Sequence, residues 1–103
     1  MPNHFYDERE QTELAGKAAN FLMEFLEGKH PHSPAVCPVA EFDAVPVRRK
    51  RPVRIKLTFW LEKTSPDFKS WNYGFVAKGG KIEVKSTDLT GIFEQLGKIA
   101  EPA

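Results

Sequence analysis

Basic side chains are the feature of this sequence with the clearest chemistry. Four are consecutive and two follow at alternate positions, namely Arg48, Arg49, Lys50, Arg51, Arg54 and Lys56. Cations at this density attract phosphates, because binding releases counterions, and they also steer acidic proteins. The run therefore predicts a surface that binds a polyanion or an acidic partner. The other interpretation is a solvated surface whose lysines and arginines protect a sheet edge from aggregation.

Alternation along residues 53–62 indicates how these charges are presented. The odd positions are apolar and the even positions are mostly polar, which is typical of a strand with one buried face. A following hairpin adds lysines to the outer face of the same sheet. The predicted outer-face residues are Arg54, Lys56, Trp60, Lys78, Lys81 and Lys85.

Trp60 lies between two predicted inward residues, so its indole is expected to be exposed. A large exposed aromatic often marks an interaction site, and an indole can stack on a nucleobase. Alternatively, the segment 28–52 or the partner of a homodimer covers it. The sequence favours cover by protein over nucleobase stacking.

Other candidate chemistry has weaker support. His30, His32 and Cys37 are zinc-ligand types, but their spacing matches no standard pair of zinc ligands. No nucleophile signature or phosphate-binding glycine loop is present. We therefore expect no catalysis, no cofactor, no metal and no small-molecule substrate. With one cysteine and no apolar run of about 18 residues, we expect a cytoplasmic protein without a membrane partner.

Hydrophobic periodicity predicts the elements that position these residues. Apolar residues at three- and four-residue steps predict helices over 7–27 and 88–100. Period-two patterns predict strands over 53–62, 70–78 and 81–86, with a loop at 63–69. Gly79-Gly80 predicts a two-residue hairpin turn that pairs Ala77 with Ile82 and Phe75 with Val84.

Residues 28–52 contain five prolines and predict an irregular connection with a possible edge strand. The predicted fold is α+β, a single domain over 1–103 with α-β-β-β-α order. Two amphipathic helices pack on one face of a three- or four-stranded antiparallel meander.

Charge is segregated along the chain. Residues 1–44 hold eight acids and three bases, whereas residues 45–86 hold eleven bases and three acids. This asymmetry indicates a small non-catalytic binding protein, an adaptor or inhibitor of another protein that acts through a basic sheet face and an acidic helix. The alternative is a nucleic-acid-binding protein that uses the basic segment 48–56 and Trp60. Self-association also remains open.

Overall fold

The computed structural model describes residues 5–32, 34–63 and 71–102. These residues form two helices and a five-stranded antiparallel sheet with strand order β4-β3-β2-β1-β5. The elements are α1 (Glu8–Leu26), β1 (Ala35–Pro46), β2 (Val53–Lys63), β3 (Trp71–Gly79), β4 (Ile82–Ser86), α2 (Leu89–Gly97) and β5 (Ala100–Pro102). The α+β class and the antiparallel sheet are confirmed, but the strand count exceeds the predicted three or four. The loop predicted at 63–69 lies, except for Lys63, outside the described residues.

Helix α1 begins at a capping box. The Asp7 carboxylate accepts from the Glu10 amide at 2.8 Å, and the Glu10 carboxylate accepts from the Asp7 amide at 3.2 Å. Both bonds satisfy amides that have no partner within the helix. The chain leaves the helix at Gly28, whose φ of 81° is a left-handed conformation that favours glycine. The predicted bounds 7–27 are therefore wrong by a single residue at each end.

Strand β1 is the main correction to the prediction for residues 28–52. Ala35–Pro46 is one continuous strand, which pairs with β2 over Ala35–Ala44 and with β5 over Ala44–Pro46, so the possible edge strand is present but is longer than the predicted short piece. Its pairing with β2 shifts register between Pro38 and Ala40, as in a β-bulge. A bulge and a strand end are positions where proline is tolerated, and these are where Pro38 and Pro46 lie.

The β3–β4 hairpin keeps its predicted faces but not its predicted register. The turn is Gly80-Lys81, so that Gly79 pairs with Ile82, and Ala77 with Val84. The shift is an even number of residues, so Ala77 and Val84 are both still buried. Gly80 has a φ of 55°, which a hairpin turn requires at its first position.

Helix α2 is shorter than the predicted span of 88–100. It ends at Gly97, and the chain then forms β5, which pairs with the end of β1. Ile92 and Leu96 are fully buried, whereas Ile99 lies beyond the helix with 43% of its surface exposed. Neither α1 nor α2 has the length and apolar character needed to cross a bilayer.

Both helices contribute to one hydrophobic core together with the sheet. Phe21 of α1 packs edge-on against Phe59 of β2, with ring centroids 6.4 Å apart. Phe93 of α2 lies 6.3 Å from Phe42 of β1. The β1–β2 register pairs Phe42 with Ile55, so both phenylalanine contacts involve inward positions of the sheet.

Helix side chains also satisfy carbonyl groups of the outer strands. Lys17 of α1 donates to the Val39 carbonyl at 3.3 Å, in the β1 bulge. Gln95 of α2 donates to the Lys85 carbonyl of β4 at 3.3 Å. Carbonyls occupied in this way are poor templates for an added strand.

Candidate binding surface

The alternation predicted for β2 is confirmed, and it defines the outer face of the sheet. Ile55, Leu57 and Leu61 are at most 1% exposed, whereas Arg54 and Lys56 are exposed. The outer face therefore carries Arg54, Lys56, Thr58 and Trp60 of β2. Neighbouring strands add the residues that pair with them.

Strand β1 brings two carboxylates onto this face that the sequence did not place there. Glu41 pairs with Lys56, and Asp43 pairs with Arg54. The Arg54 guanidinium lies 3.4 Å from the Asp43 carboxylate and 3.5 Å from that of Glu41. Lys56 Nζ lies 3.8 Å from the Glu41 carboxylate. These exposed pairs stabilise little, by about 0–1 kcal/mol each, but they neutralise much of the predicted positive face.

The hairpin lysines have a similar environment. Lys85 Nζ lies 3.3 Å from the Glu83 carboxylate. Lys78 pairs across the strands with both Lys56 and Glu83. In the middle of the outer face, positively and negatively charged side chains are therefore neighbours. It offers an anion less net attraction than its lysines and arginines alone predict.

Trp60 is half-buried because its indole lies over the neighbouring strand. A Cβ atom at Gly74 would lie 3.0 Å from Trp60 Cζ2 and 3.3 Å from Trp60 Nε1. Gly74 pairs directly with Trp60, and Val36 flanks it on the other side with 59% exposure. Cover by the chain's own sheet therefore accounts for one side of the indole, and the segment 28–52 contributes Val36 as the strand neighbour on the other side.

Replacing Gly74 with valine is expected to lift the indole from the sheet, because the new side chain occupies its place. We expect a red-shifted Trp60 emission and a loss of about 1–3 kcal/mol in unfolding free energy. Both spectra are measured with Trp71 replaced by phenylalanine, so that Trp60 is the sole tryptophan in the sequence. The control is the Trp71→Phe variant that retains Gly74. An emission maximum equal to the control would show that the indole does not rest on Gly74.

The four consecutive cations occupy the turn between β1 and β2. The amides of Arg49 and Lys50 both donate to the Pro46 carbonyl at 3.2 Å, and Lys50 has a φ of 55°. The side chains of Arg48, Arg49, Lys50 and Arg51 are exposed. In residues 5–32, 34–63 and 71–102, no carboxylate lies within 4.0 Å of any of these four cations.

Two further lysines join this turn at the same end of the sheet. Lys81 comes from the β3–β4 turn and Lys98 from the end of α2, and both line one groove with Arg48 and Arg49. We call this group the basic end; it comprises Arg48, Arg49, Lys50, Arg51, Lys81 and Lys98. Lys98 was not predicted as a site residue, because a single lysine 47 residues beyond Arg51 has no sequence pattern that links it to the basic run. Five of the ten predicted site residues therefore belong to the basic end. The other five lie on the strands of the sheet, namely Arg54, Lys56, Trp60, Lys78 and Lys85.

Of the candidate zinc ligands, His30 and Cys37 have structural contacts, whereas His32 is exposed. His30 lies 2.9 Å from the Glu24 carboxylate, and its ring lies 4.3 Å from that of Phe21. Cys37 pairs with Phe59, and burial, reinforced by the charge of Glu24, raises the pKa of its thiol. A raised pKa disfavours the thiolate, which is the nucleophilic form. Within the described ranges, no three His, Cys, Asp or Glu residues form a group that could hold a metal.

Comparisons with family models, curated proteins and solved structures found no match for this chain. A function for it therefore rests on its own geometry.

Proposed function

We propose that this chain is a small non-catalytic binding protein that takes an acidic protein partner on its basic end. One observation carries the proposal. The four turn cations Arg48–Arg51 have no carboxylate within ion-pair distance among the described residues, whereas Arg54, Lys56 and Lys85 do. A partner's carboxylate gains more from a cation without a competing intramolecular carboxylate.

The acidic helix complements this arrangement. Glu8, Glu10, Glu13 and Glu27 of the α1 region are exposed. The same partner carboxylates that the basic end attracts are repelled by this helix. Charge of opposite sign on two elements orients an incoming partner and speeds its association. An adaptor or an inhibitor would gain from such orientation.

Nucleic-acid binding is the second candidate, because phosphates are attracted by the same turn cations. A sequence-tolerant single-strand binder also needs aromatic platforms along the backbone path. The candidate platform is Trp60, which lies on the outer face of β2 two outward positions beyond Lys56, and Lys56 already has the Glu41 carboxylate 3.8 Å away. The acidic protein partner is therefore the better-supported proposal.

The test compares two anions of equal charge, a labelled Glu- and Asp-rich peptide and a labelled thymidine oligonucleotide. We expect the peptide to bind at about 50 mM salt and to weaken as salt rises. The double substitution Arg48→Glu and Arg49→Glu is expected to weaken peptide binding by about tenfold or more. Fluorescence anisotropy measures both titrations.

The matched control is Arg9→Glu with Lys29→Glu, which changes the net charge equally but on the α1 side of the sequence. We expect it to change peptide affinity by about twofold at most. Equal losses in both double variants would reduce the effect to net charge and overturn the basic end as a site. Tight oligonucleotide binding without peptide binding would replace the proposal by the second candidate.

A further inference from the structure

A groove of about 390 Å³ opens at the basic end, and its floor is aliphatic. The floor combines Val47 at the start of the β1–β2 turn, Val53 at the start of β2, Ile82 at the start of β4 and Ile99, which lies between α2 and β5. Val47 is 60% exposed and Ile99 is 43% exposed, whereas Val53 and Ile82 are half-buried. The floor therefore presents apolar surface that a bound side chain could remove from water.

The rim of this groove is cationic. Arg48 and Arg49 come from the β1–β2 turn, Lys81 from the β3–β4 turn and Lys98 from the end of α2. Among the described residues that line the groove, none is acidic. An aliphatic floor with a rim of one sign is complementary to an apolar group that has anions on either side of it.

The walls are held in place by backbone contacts. The Val47 amide donates to the Ile99 carbonyl at 3.0 Å, which ties the turn to the connection between α2 and β5. β5 adds further pairing, with Val45 opposite Glu101. Proline at positions 46 and 52 restricts the backbone at both ends of the turn. A groove ordered before binding costs less conformational entropy when a partner enters.

We propose that the groove takes one aliphatic side chain from an acidic segment of the partner protein, with carboxylates on either side reaching the rim. This inference rests on the proposed function and names the partner's recognition element. A small amphipathic anion fits less well, because small-molecule sites enclose most of their ligand and here Val47 and Ile99 stay largely exposed. A nucleic acid fits less well because none of the described residues that line the groove has an aromatic ring on which a base could stack.

The test uses two labelled acidic peptides that differ at one central residue, leucine in one and serine in the other. We expect the leucine peptide to bind the full chain about tenfold more tightly, because only its side chain buries apolar surface. In the variant Val47→Ser with Ile99→Ser, the difference should fall to about twofold or less. Both peptides should keep their salt-dependent binding to this variant, because the rim cations are unchanged.

The Val47 and Ile99 substitutions retain the backbone bond between these residues and affect side chains that are already exposed, so we expect the variant to fold; circular dichroism and urea unfolding verify this. If it does not fold, the leucine–serine comparison on the unaltered chain still decides the proposal. Equal affinities for the two peptides there would overturn the groove inference while leaving the proposed function. If neither peptide binds the unaltered chain, the groove inference and the proposed function are both overturned.

A second copy of this chain is a different occupant. Sedimentation of the unaltered chain should show a monomer at the concentrations used for binding. A dimer that dissociates on Val47→Ser with Ile99→Ser would show that a second copy fills the groove, and it would overturn the peptide-segment proposal. Oligonucleotide binding that needs Val47 and Ile99 would overturn it as well.

Discussion

Replacing Gly79 with alanine is expected to destabilise the fold by about 3 kcal/mol. A Cβ atom at this position would overlap the backbone carbonyl oxygen of Arg54, and it would lie 2.9 Å from Ile55 Cδ1. Backbone in the next strand cannot move without breaking the pairing of β2 with β3. The φ of Gly79 is not positive, so the cost comes from the close approach of the two strands and not from backbone conformation. The midpoint and slope of urea unfolding measure the loss.

The control for this prediction is Gly16→Ala in α1. Gly16 is exposed, and a Cβ atom there would meet nothing within 4 Å. Alanine is the better helix former, so we expect a gain of about 0.5–1 kcal/mol. If Gly79→Ala were as stable as the unaltered chain, the β3–β4 hairpin could not approach Arg54 as described. The Gly80-Lys81 turn and the position of Lys81 on the basic end would then be wrong.

Replacing Leu61 with alanine is expected to cost about 2–5 kcal/mol of unfolding free energy. Its side chain is fully buried, on the inward face of β2, and its removal leaves a cavity in the core. The size of the loss depends on how far neighbouring residues can collapse into the space. Thermal and urea unfolding measure it independently of any binding partner.

The neighbouring substitution Glu62→Ala provides the matched comparison. Glu62 is exposed and lies on the outer face, where most changes stay within about 0.5 kcal/mol. A large loss of unfolding free energy at Leu61 with a small loss at Glu62 is what we expect if Leu61 faces the core and Glu62 faces outward. The reverse result would exchange the two faces of β2. Arg54 and Lys56 would then lie in the core, and their ion pairs with Glu41 and Asp43 could not form.

The charge pattern of the sheet changes how the basic sequence is interpreted. A count of cations along residues 48–56 suggests one continuous positive surface. Strand β1 divides it, because its two carboxylates neutralise the strand portion, whereas the turn portion has no carboxylate within ion-pair distance among the described residues. Binding is therefore expected to depend on the turn, and substitution of Lys56 or Lys85 should matter less than substitution of Arg48 or Arg49.

The sequence by itself determined the elements whose signal is local. The helical stripe of α1, the alternation of β2 and the shared face of the hairpin follow from periods of 3.6 and 2 within a single segment. The exposure of Arg54 and Lys56 follows from the same alternation. The predicted hairpin register was wrong because Gly79-Gly80 offers two positions for the turn; in the structure Gly79 lies at the end of β3 close to the Arg54 carbonyl, and Gly80 adopts the positive φ of the turn.

Tertiary structure decided the features that depend on residues far apart in the chain. The prolines of residues 28–52 argued against a regular strand, so the sequence predicted no more than a possible edge strand there. The strand is possible because Pro38 lies at a bulge and Pro46 at the strand end. The three residues of β5 are too short to carry a periodic signal, yet pairing with β1 holds them in the sheet. The ion pairs of Glu41 and Asp43, and the meeting of Lys98 with Arg48 around an aliphatic floor, exist only because non-local strand pairing brings those segments together. Side-chain alternation is a property of one segment, whereas the choice of neighbours is a property of the whole sheet, and the proposed site depends on that choice.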